Sequence, residues 1–266
     1  MTLAYDLPEN SFGQRKRLHM AADILRTREV RSVLDVGCGS GQLLTLPLAR
    51  NFPAVQITGL DEDKVSIGWA RSHTPPANLR FLMPDELPAD AQFDLIIASE
   101  VIEHVEDPAA FLVWLRRHLA PGGAVFLTMP NGFGPYEGIV FLYQLADRLG
   151  LRRRRAAAAG ELTDTLAASP HINFFSFSTI RRVITQGGFV IQRYMPRTFL
   201  CGGIFDRLVA RRLAWNAQVS EKLPAWLASD WMFLVAPSAP PAPRPFRRGA
   251  LGRFRRRLNE GAIGAA

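Results

Sequence analysis

The 266-residue sequence predicts an α/β fold, with a doubly wound, mostly parallel sheet and helices on both faces. Short apolar runs alternate with stretches of helical periodicity from about residue 31 onward. A glycine-rich loop, GCGSG at 37–41, follows the first apolar run, and an acid at position 61 follows the second. Because ligands bind at the carboxyl ends of strands in such sheets, both features lie where a binding site is expected.

The individual elements follow from the hydrophobic periodicity and the turn residues. We predict a first helix over 12–29, then strands near 31–36, 55–60, 79–82, 93–98 and 123–129. Helices are predicted at 42–50, 63–72 and 108–119 between the strands, and near 178–186. PGG at 121–123 predicts a turn before the fifth strand. The later apolar runs GGFVIQRYM and SDWMFLVAP bring the predicted strands to seven.

The loop at 37–41 predicts a nucleotide-type cofactor site. Gly37, Gly39 and Gly41 lack the Cβ atoms that would obstruct a sharp turn and a closely approaching ligand. Asp61 lies 20 residues beyond Gly41, as does the ribose-binding acid of dinucleotide sites. However, the glycine spacing departs from the dinucleotide pattern, and the carboxylate of Asp35 would repel a pyrophosphate. The pattern favours a cofactor that has a ribose and a cationic end but no phosphate.

Four blocks in this order resemble the class I S-adenosylmethionine-dependent methyltransferases: DVGCGSG, GLDEDKVSIGWA, FDLIIASEVIEHV and LAPGGAVFLTMPN. The resemblance covers roughly residues 30–195. It implies a Rossmann-like, seven-stranded sheet whose last strand pairs antiparallel, and S-adenosyl-L-methionine as the cofactor. The ubiquinone-biosynthesis O-methyltransferases are among the enzymes that the sequence resembles.

The same resemblance implies which residues bind the cofactor. Asp61 is expected to hold the ribose hydroxyls, and the segment 83–85 to flank the adenine. An alternative for Asp85 is that it caps the turn at PDELP. We interpret Cys38 as a small loop residue and not as a nucleophile. The full expected set is Asp35, Gly37, Cys38, Gly39, Gly41, Asp61, Glu62, Asp85, Ser99 and Glu100.

The segment EVIEH at 100–104 places two carboxylates and an imidazole at the predicted mouth of the cofactor site. It resembles the ExxEH segment of small-RNA 3′-terminal 2′-O-methyltransferases, which binds a divalent metal together with a later His. The resemblance implies Glu100, Glu103, His104 and His171 as ligands of Mg²⁺, Mn²⁺ or Zn²⁺, which would lower the pKa of a substrate hydroxyl. The alternative is a metal-free site in which His104 or His171 is the general base. Glu103, His104 and His171 are the candidate catalytic residues.

Composition divides the chain into a domain over 1–236, with a lid-like insertion at 131–170, and a Pro/Arg-rich tail at 237–266. The tail carries seven Arg and one Glu, which is a net charge of +6. Because the formal net charge of the whole chain is +8, the rest of the chain is almost neutral. We expect the tail to lack fixed structure. The tail and the apolar, Arg-terminated segment 138–155 are candidates for peripheral membrane contact. The alternatives are a solvated tail and a core-covering helix.

The two cysteines, Cys38 and Cys201, show no disulfide spacing, and no apolar leader or membrane-spanning run is present. We therefore expect a cytoplasmic protein, with any membrane contact peripheral at the inner face. The predicted reaction is O-methylation of a small molecule, such as a quinone-precursor-like compound, a lipid or a sugar. An alternative is a metal-dependent RNA 2′-O-methyltransferase. The almost neutral net charge of the domain disfavours it, because nucleic-acid-binding surfaces are basic. The other alternative is a non-catalytic regulatory domain that binds the cofactor.

Overall fold

The alternation of strands and helices is confirmed in a computed structural model, which describes residues 12–149, 171–199, 213–238 and 246–263. The strands are β1 (Ser32–Val36), β2 (Gln56–Leu60), β3 (Leu79–Leu82), β4 (Phe93–Ser99), β5 (Leu119–Pro130), β6 (Phe189–Pro196) and β7 (Asp230–Pro237). The first four helices are α1 (Phe12–Thr27), α2 (Thr45–Asn51), α3 (Lys64–Ser72) and α4 (Pro108–Arg117). The others are α5 (Pro135–Arg148), α6 (Phe177–Gln186), α7 (Leu213–Lys222) and α8 (Ala250–Ile263), with 3₁₀ turns at Pro84–Glu86 and Ala225–Leu227.

The strands form one seven-stranded sheet in the order β3-β2-β1-β4-β5-β7-β6. The pairs among β1 to β5 are parallel, whereas β7 is antiparallel to both of its neighbours, β5 and β6. The predicted doubly wound sheet with an antiparallel last strand is therefore confirmed. Chain order reverses between β1 and β4, so the carboxyl ends of these two strands border the crevice in which such sheets bind ligands.

The sheet is buried on both faces, because successive residues of a strand point to opposite sides. Val33 and Leu95 belong to one hydrophobic cluster, which includes residues of α1, α2 and α3. Leu34 and Ile96 belong to the other, which includes residues of α4 and α6. The central strands are therefore rigidly held, and residues at their carboxyl ends are fixed in position.

The fifth strand is longer than the sequence predicts. It begins at Leu119, and the PGG sequence lies inside it instead of before it. The pairing of β4 with β5 is irregular between Phe93 and Leu95, and Gly122 has a φ of 80°. Extra residues on one strand together with a left-handed glycine are typical of a β-bulge. The turn residues thus bend the strand without ending it.

The C-terminal segment differs from the expected tail without fixed structure. Residues 246–263 are described and include α8, in which Arg255 and Leu258 are buried. Composition suggested too little apolar surface to order this segment, but its arginines bind carboxylates of the preceding chain, Glu106 and Glu137. Residues 239–245 and 264–266 of the tail, and 150–170 of the lid-like insertion, lie outside the described residues. None of the described helices is long and apolar enough to span a membrane.

Candidate active site

The backbone of the loop after β1 requires glycine. Gly37, Gly39 and Gly41 have φ values of 71°, 54° and 77°, in the left-handed region that other residues rarely adopt. A Cβ on Gly37 would lie 2.5 Å from Cγ2 of Val101, and a Cβ on Gly41 would lie 2.6 Å from Cζ of Phe81. A Cβ on Gly39 would meet no atom within 4 Å. The first and third glycines therefore allow close packing, whereas the second borders open space.

Asp35 is a buried carboxylate at the carboxyl end of β1. Its Oδ2 accepts a hydrogen bond of 2.6 Å from Oγ1 of Thr45. Burial raises the pKa of Asp35 to about 6, against the opposing effects of the Thr45 hydrogen bond and the nearby charge of Arg17. The raised pKa means that the surroundings do not fully stabilise the negative charge. A cationic ligand group beside Asp35 would stabilise it, as expected for a sulfonium-bearing cofactor.

Arg17 connects α1 to the carboxyl end of β4. It is buried, and its Nη1 donates a hydrogen bond of 2.7 Å to Oγ of Ser99. Ser99 in turn shares a hydrogen bond of 2.8 Å with Oγ1 of Thr128 in β5. Ser99, from the expected cofactor set, is thus fixed by side chains from two other elements.

Asp61 fixes the glycine loop against the end of β2. Its Oδ2 accepts a 2.7 Å hydrogen bond from the amide of Gly39, and its Oδ1 accepts one of 2.9 Å from the amide of Asp63. The carboxylate therefore lies beside the middle glycine, where it borders the same open space. Glu62 and Asp85, also expected at the cofactor, are exposed side chains at the ends of β2 and β3.

The alternative capping role considered for Asp85 belongs to its neighbour. Oε2 of Glu86 accepts a 2.6 Å hydrogen bond from the amide of Met83 and so caps the 3₁₀ turn at Pro84–Glu86. Cys38 packs under the loop, where a Cβ on Gly59 would lie 2.9 Å from its Sγ. Burial raises the pKa of the Cys38 thiol well above its usual value, which disfavours the nucleophilic thiolate.

Glu100 directly follows β4. Its backbone conformation is unusual, and its carboxylate accepts hydrogen bonds from neighbouring side chains. Its φ is 58°, and its amide donates a 2.9 Å hydrogen bond to the carbonyl of Thr128. Its Oε1 accepts hydrogen bonds from Oγ1 of Thr128 at 2.6 Å and from Nη1 of Arg197 at 3.3 Å. Burial acts to raise the pKa of Glu100, but the charges of Arg197 and Arg17 outweigh it and lower the pKa. Glu100 is therefore an ionised carboxylate that shares the cation Arg197 with Asp230, which lies 2.7 Å from Nη2 of that arginine.

Three of the four expected metal ligands lie together. One donor atom from each of Glu103, His104 and His171 lies within 4.8 Å of the others, and Glu100 is not in this group. Glu103 is fully buried, and neither carboxylate oxygen has a hydrogen-bond partner. Nε2 of His104 lies 4.0 Å from Oε1 of Glu103. Burial and the charge of Glu100 raise the pKa of Glu103 to about 8. A buried carboxyl group without a hydrogen-bond partner calls for an explanation, and the two imidazoles beside it make this cluster a candidate site.

A second carboxylate orients His171. Nδ1 of His171 lies 2.7 Å from Oε1 of Glu137, and because an ionised carboxylate only accepts, Nδ1 carries the proton. Nη2 of Arg255 donates a 2.6 Å hydrogen bond to Oε2 of Glu137, and the Arg255 guanidinium stacks 3.8 Å from the centre of the Phe174 ring. Burial acts to lower the pKa of His171, but the hydrogen bond and charge of Glu137 raise it to about 9. Helices α5 and α8 thus both contribute to the site.

Asn173 joins the two chain segments that carry the cluster. Its Nδ2 donates to the carbonyls of Ile102 at 3.3 Å and Val105 at 2.6 Å, and its amide donates to the carbonyl of Glu103 at 2.9 Å. Its Oδ1 accepts a 2.8 Å hydrogen bond from Nε of Arg248. These contacts bring His171 beside a sequence segment that is distant in the chain.

Four residues that support this site are absent from the set predicted from sequence: Arg17, Glu137, Asn173 and Arg255. Glu137 is the single acid at the start of an otherwise apolar helix, and Asn173 follows His171 by two residues, so each had a weak local signal. Arg255 had none, because it looks like the other arginines of the tail. Sequence periodicity could not reveal which of them is buried.

Comparisons with known proteins find related sequences. A family described as "Methyltransferase domain" matches residues 12–194. A ubiquinone biosynthesis O-methyltransferase from Paramagnetospirillum magneticum is 38% identical over 117 residues, which are 40% of this chain and 46% of that protein. A trans-aconitate 2-methyltransferase from Delftia acidovorans is 32% identical over 124 residues, 44% of this chain and 45% of that protein. The chain thus matches less than half the length of these curated relatives.

Solved structures show the same fold. Magnesium protoporphyrin IX methyltransferase from Synechocystis, determined with bound S-adenosylhomocysteine, superposes with a TM-score of 0.53 at 17% identity. The superposition covers 85% of this chain and 83% of that chain. The family match covers most of the described sheet, from α1 into β6, and includes the glycine loop and the two acids beside it. The chain therefore belongs to the methyltransferase-domain family.

Proposed function

We propose that the enzyme transfers the methyl group of S-adenosylmethionine to a hydroxyl oxygen of a small molecule. The buried cluster of Glu103, His104 and His171 carries this proposal, because it brings three ionisable groups together beyond the carboxyl end of β4. The cluster adjoins the cofactor loop, since Val101 packs against Gly37. Similarity to a ubiquinone biosynthesis O-methyltransferase supports an oxygen acceptor, in a quinone-precursor-like compound, a lipid or a sugar.

The chemistry requires little beyond positioning and deprotonation. The acceptor oxygen forms a bond to the methyl carbon while the bond from carbon to the sulfonium breaks, leaving a neutral thioether. The hydroxyl proton passes to a general base in the same step. We assign that base to His104, because the pKa of His171, which burial acts to lower but Glu137 raises to about 9, keeps that imidazole protonated at neutral pH. Asp35 and Asp61 would hold the cationic and ribose parts of the cofactor.

Glu103, His104 and His171 also fit a divalent cation. The buried carboxylate oxygens of Glu103 have no hydrogen-bond partner, and a carboxylate on the far nitrogen of a metal-bound His is the usual supporting arrangement. One carboxylate and two imidazoles suit Zn²⁺ better than Mg²⁺. A bound cation would lower the pKa of an acceptor hydroxyl. Glu100 is left out of this proposed ligand set because Thr128 and Arg197 occupy its Oε1.

The substrate class can be tested with radiolabelled S-adenosylmethionine and separate pools of small metabolites, lipids, polysaccharides and RNA. We expect label in a hydroxyl-bearing small molecule or lipid. The label should withstand mild base, because methyl ethers are stable where methyl esters release methanol. Label in RNA, or base-labile label, would contradict the proposal. Cofactor binding without transfer to any pool would instead favour a regulatory domain.

The metal can be tested independently of the substrate. After exhaustive chelation, we expect added Zn²⁺ or Mn²⁺ to raise the melting temperature, since a ligand at 100 times its Kd adds about 2.7 kcal/mol of stability. Glu103→Gln should abolish the increase, whereas Glu29→Gln, an exposed acid on another surface, should retain it. Full turnover after chelation, with no thermal shift, would exclude the metal and leave His104 as the base.

A further inference from the structure

Five arginines line one concavity at the start of α8. Its volume is about 410 Å³, and its lining residues are Arg247, Arg248, Arg253, Arg256 and Arg257. We call this concavity the arginine pocket. The two segments that form it are the residues just before the helix and its first two turns.

Arg256 and Arg248 are held in place by contacts outside the pocket, and Nη1 of Arg253 donates to the carbonyl of Arg248. Arg256 donates to both carboxylate oxygens of Glu106, at 2.9 and 2.5 Å. Nη2 of Arg248 donates to the carbonyl of Glu106 at 2.6 Å, and its Nε donates to Asn173. Glu106 itself is 69% exposed. The pocket therefore has pre-positioned guanidinium groups before any ligand binds.

The other three arginines, Arg247, Arg253 and Arg257, are exposed. Glu106 pairs with two arginines of this pocket, Arg248 and Arg256. Five guanidinium groups around one concavity repel one another, and an anion placed among them would offset that repulsion. Planar guanidinium groups match the oxygen geometry of phosphate. The chemistry of the pocket thus suits a phosphate group.

Helix α8, which carries most of the arginine pocket, and helix α5 also have exposed apolar side chains. Leu251 and Phe254 of α8 are 51% and 47% exposed although they are large and hydrophobic. The Phe254 ring contacts the Phe141 ring of α5, with centroids 6.4 Å apart. Leu142 of α5 and Leu149, the residue directly after this helix, are also exposed. Two packed helices therefore present apolar side chains together with cations.

We propose that the arginine pocket binds the phosphate group of an anionic phospholipid and that α5 and α8 rest on a membrane surface. A bilayer places phosphates directly above hydrocarbon, which matches arginines beside Leu251 and Phe254. A soluble phosphate would leave these side chains in water. The same helices supply Glu137 and Arg255 to the active site, so membrane contact and the site share elements. The proposal does not depend on which acceptor is methylated.

Vesicle cosedimentation tests the proposal without any methyl acceptor. We expect the full-length protein to bind phosphatidylcholine vesicles only when they contain phosphatidylglycerol, and to dissociate as salt concentration rises. Arg253→Gln combined with Arg257→Gln should weaken binding about thirtyfold, from about 1 kcal/mol per cation near an anionic surface. Leu251→Ser combined with Phe254→Ser should also weaken it. Arg31→Gln combined with Arg117→Gln removes two exposed arginines from the amino-terminal edge of the sheet and should leave binding unchanged.

Other results would overturn the proposal. Equal vesicle binding by the two arginine variants would show that the pocket is not the contact. Calorimetric binding of inorganic pyrophosphate without vesicle binding would indicate a water-soluble phosphate ligand. Binding to RNA but not to anionic vesicles would indicate a nucleic-acid surface. Unchanged S-adenosylmethionine affinity in the pocket variants would show that they are folded, and lack of methyl transfer would affect only the proposed function.

Discussion

Arg255 and His171 bind opposite oxygens of the same buried carboxylate, Glu137. Nη2 of Arg255 lies 2.6 Å from Oε2, and Nδ1 of His171 lies 2.7 Å from Oε1. A cation from the last described helix therefore stabilises the charge that orients an imidazole in the candidate active site. The C-terminal helix is a structural part of that site.

Replacing Arg255 with Gln should destabilise the protein strongly. Removing one partner of a buried ion pair typically costs about 3–5 kcal/mol, because the remaining charge loses its compensation. Urea denaturation should show this loss in Arg255→Gln. The double variant Arg255→Gln/Glu137→Gln should recover much of the stability, because no buried charge is left unpaired. It should not recover turnover, because His171 lacks its carboxylate.

The neighbouring Arg256 provides the control. It pairs with the exposed Glu106, and such surface pairs contribute about 0–1 kcal/mol. Arg256→Gln should therefore change the free energy of unfolding by no more than about 1 kcal/mol. Equal losses in Arg255→Gln and Arg256→Gln would contradict the structural role assigned to Arg255.

Two alanine substitutions in the glycine loop should separate packing from cofactor binding. Gly37→Ala should destabilise the apo protein most, since its Cβ would overlap Val101 in a left-handed backbone. Gly39→Ala should cost only about 1–2 kcal/mol of backbone strain, because its Cβ points into open space. Gly39→Ala should nevertheless lose S-adenosylmethionine affinity in calorimetry. Normal affinity in Gly39→Ala would mean that the cofactor does not approach that glycine.

Most of the sheet was predictable because its strands are buried on both faces. Residues such as Leu34 and Ile96 lie in continuous apolar runs, and this pattern located β1 and β4 to within about two residues. The start of β5 was not predictable, because PGG usually indicates a turn. Only the pairing with Phe93 shows that the strand continues across Gly122 as a bulge.

The site was predictable where residues follow strands directly. Asp35, Asp61 and Ser99 all lie at carboxyl ends of strands, as the alternating pattern implies. The role of Glu137 depends on how α5 packs, and that of Arg255 on how α8 folds back, neither of which has a local sequence signal. Composition alone assigned the arginines to solvent, because it cannot show that one of them has a buried carboxylate partner.

Asp35 should make stability depend on pH. Its pKa in the folded protein, about 6, is above its ordinary value of 3.8, so its contribution is most favourable below pH 3.8 and is lost as pH rises through 6. The free energy of unfolding should therefore fall by about 3 kcal/mol over this pH range. Asp35→Asn lacks this titration, so wild type should lose stability relative to Asp35→Asn between pH 4 and 8 in parallel denaturation curves.

Asp35→Asn should have opposite effects on stability and on cofactor binding. Asp35→Asn should bind S-adenosylmethionine much more weakly at neutral pH, because it lacks the carboxylate that we propose holds the cationic end of the cofactor. In wild type, affinity should fall as pH drops below about 6, where Asp35 takes up a proton. Affinity that is independent of pH from 5 to 8 would show that Asp35 does not contact the cationic part of the cofactor.

Asn173→Ala should lower turnover while leaving cofactor affinity unchanged. Its side chain fixes the segment that carries Glu103 and His104, through the carbonyls of Ile102 and Val105, and these partners lie outside the glycine loop. Leaving buried carbonyl groups without donors costs about 1–3 kcal/mol each, so stability should fall as well. A matched control is Asn78, whose Nδ2 donates to the carbonyls of Ala49, Phe52 and Val55 far from the cluster. Asn78→Ala should lose similar stability but retain kcat, and equal loss of kcat in both variants would show that Asn173 acts through stability alone.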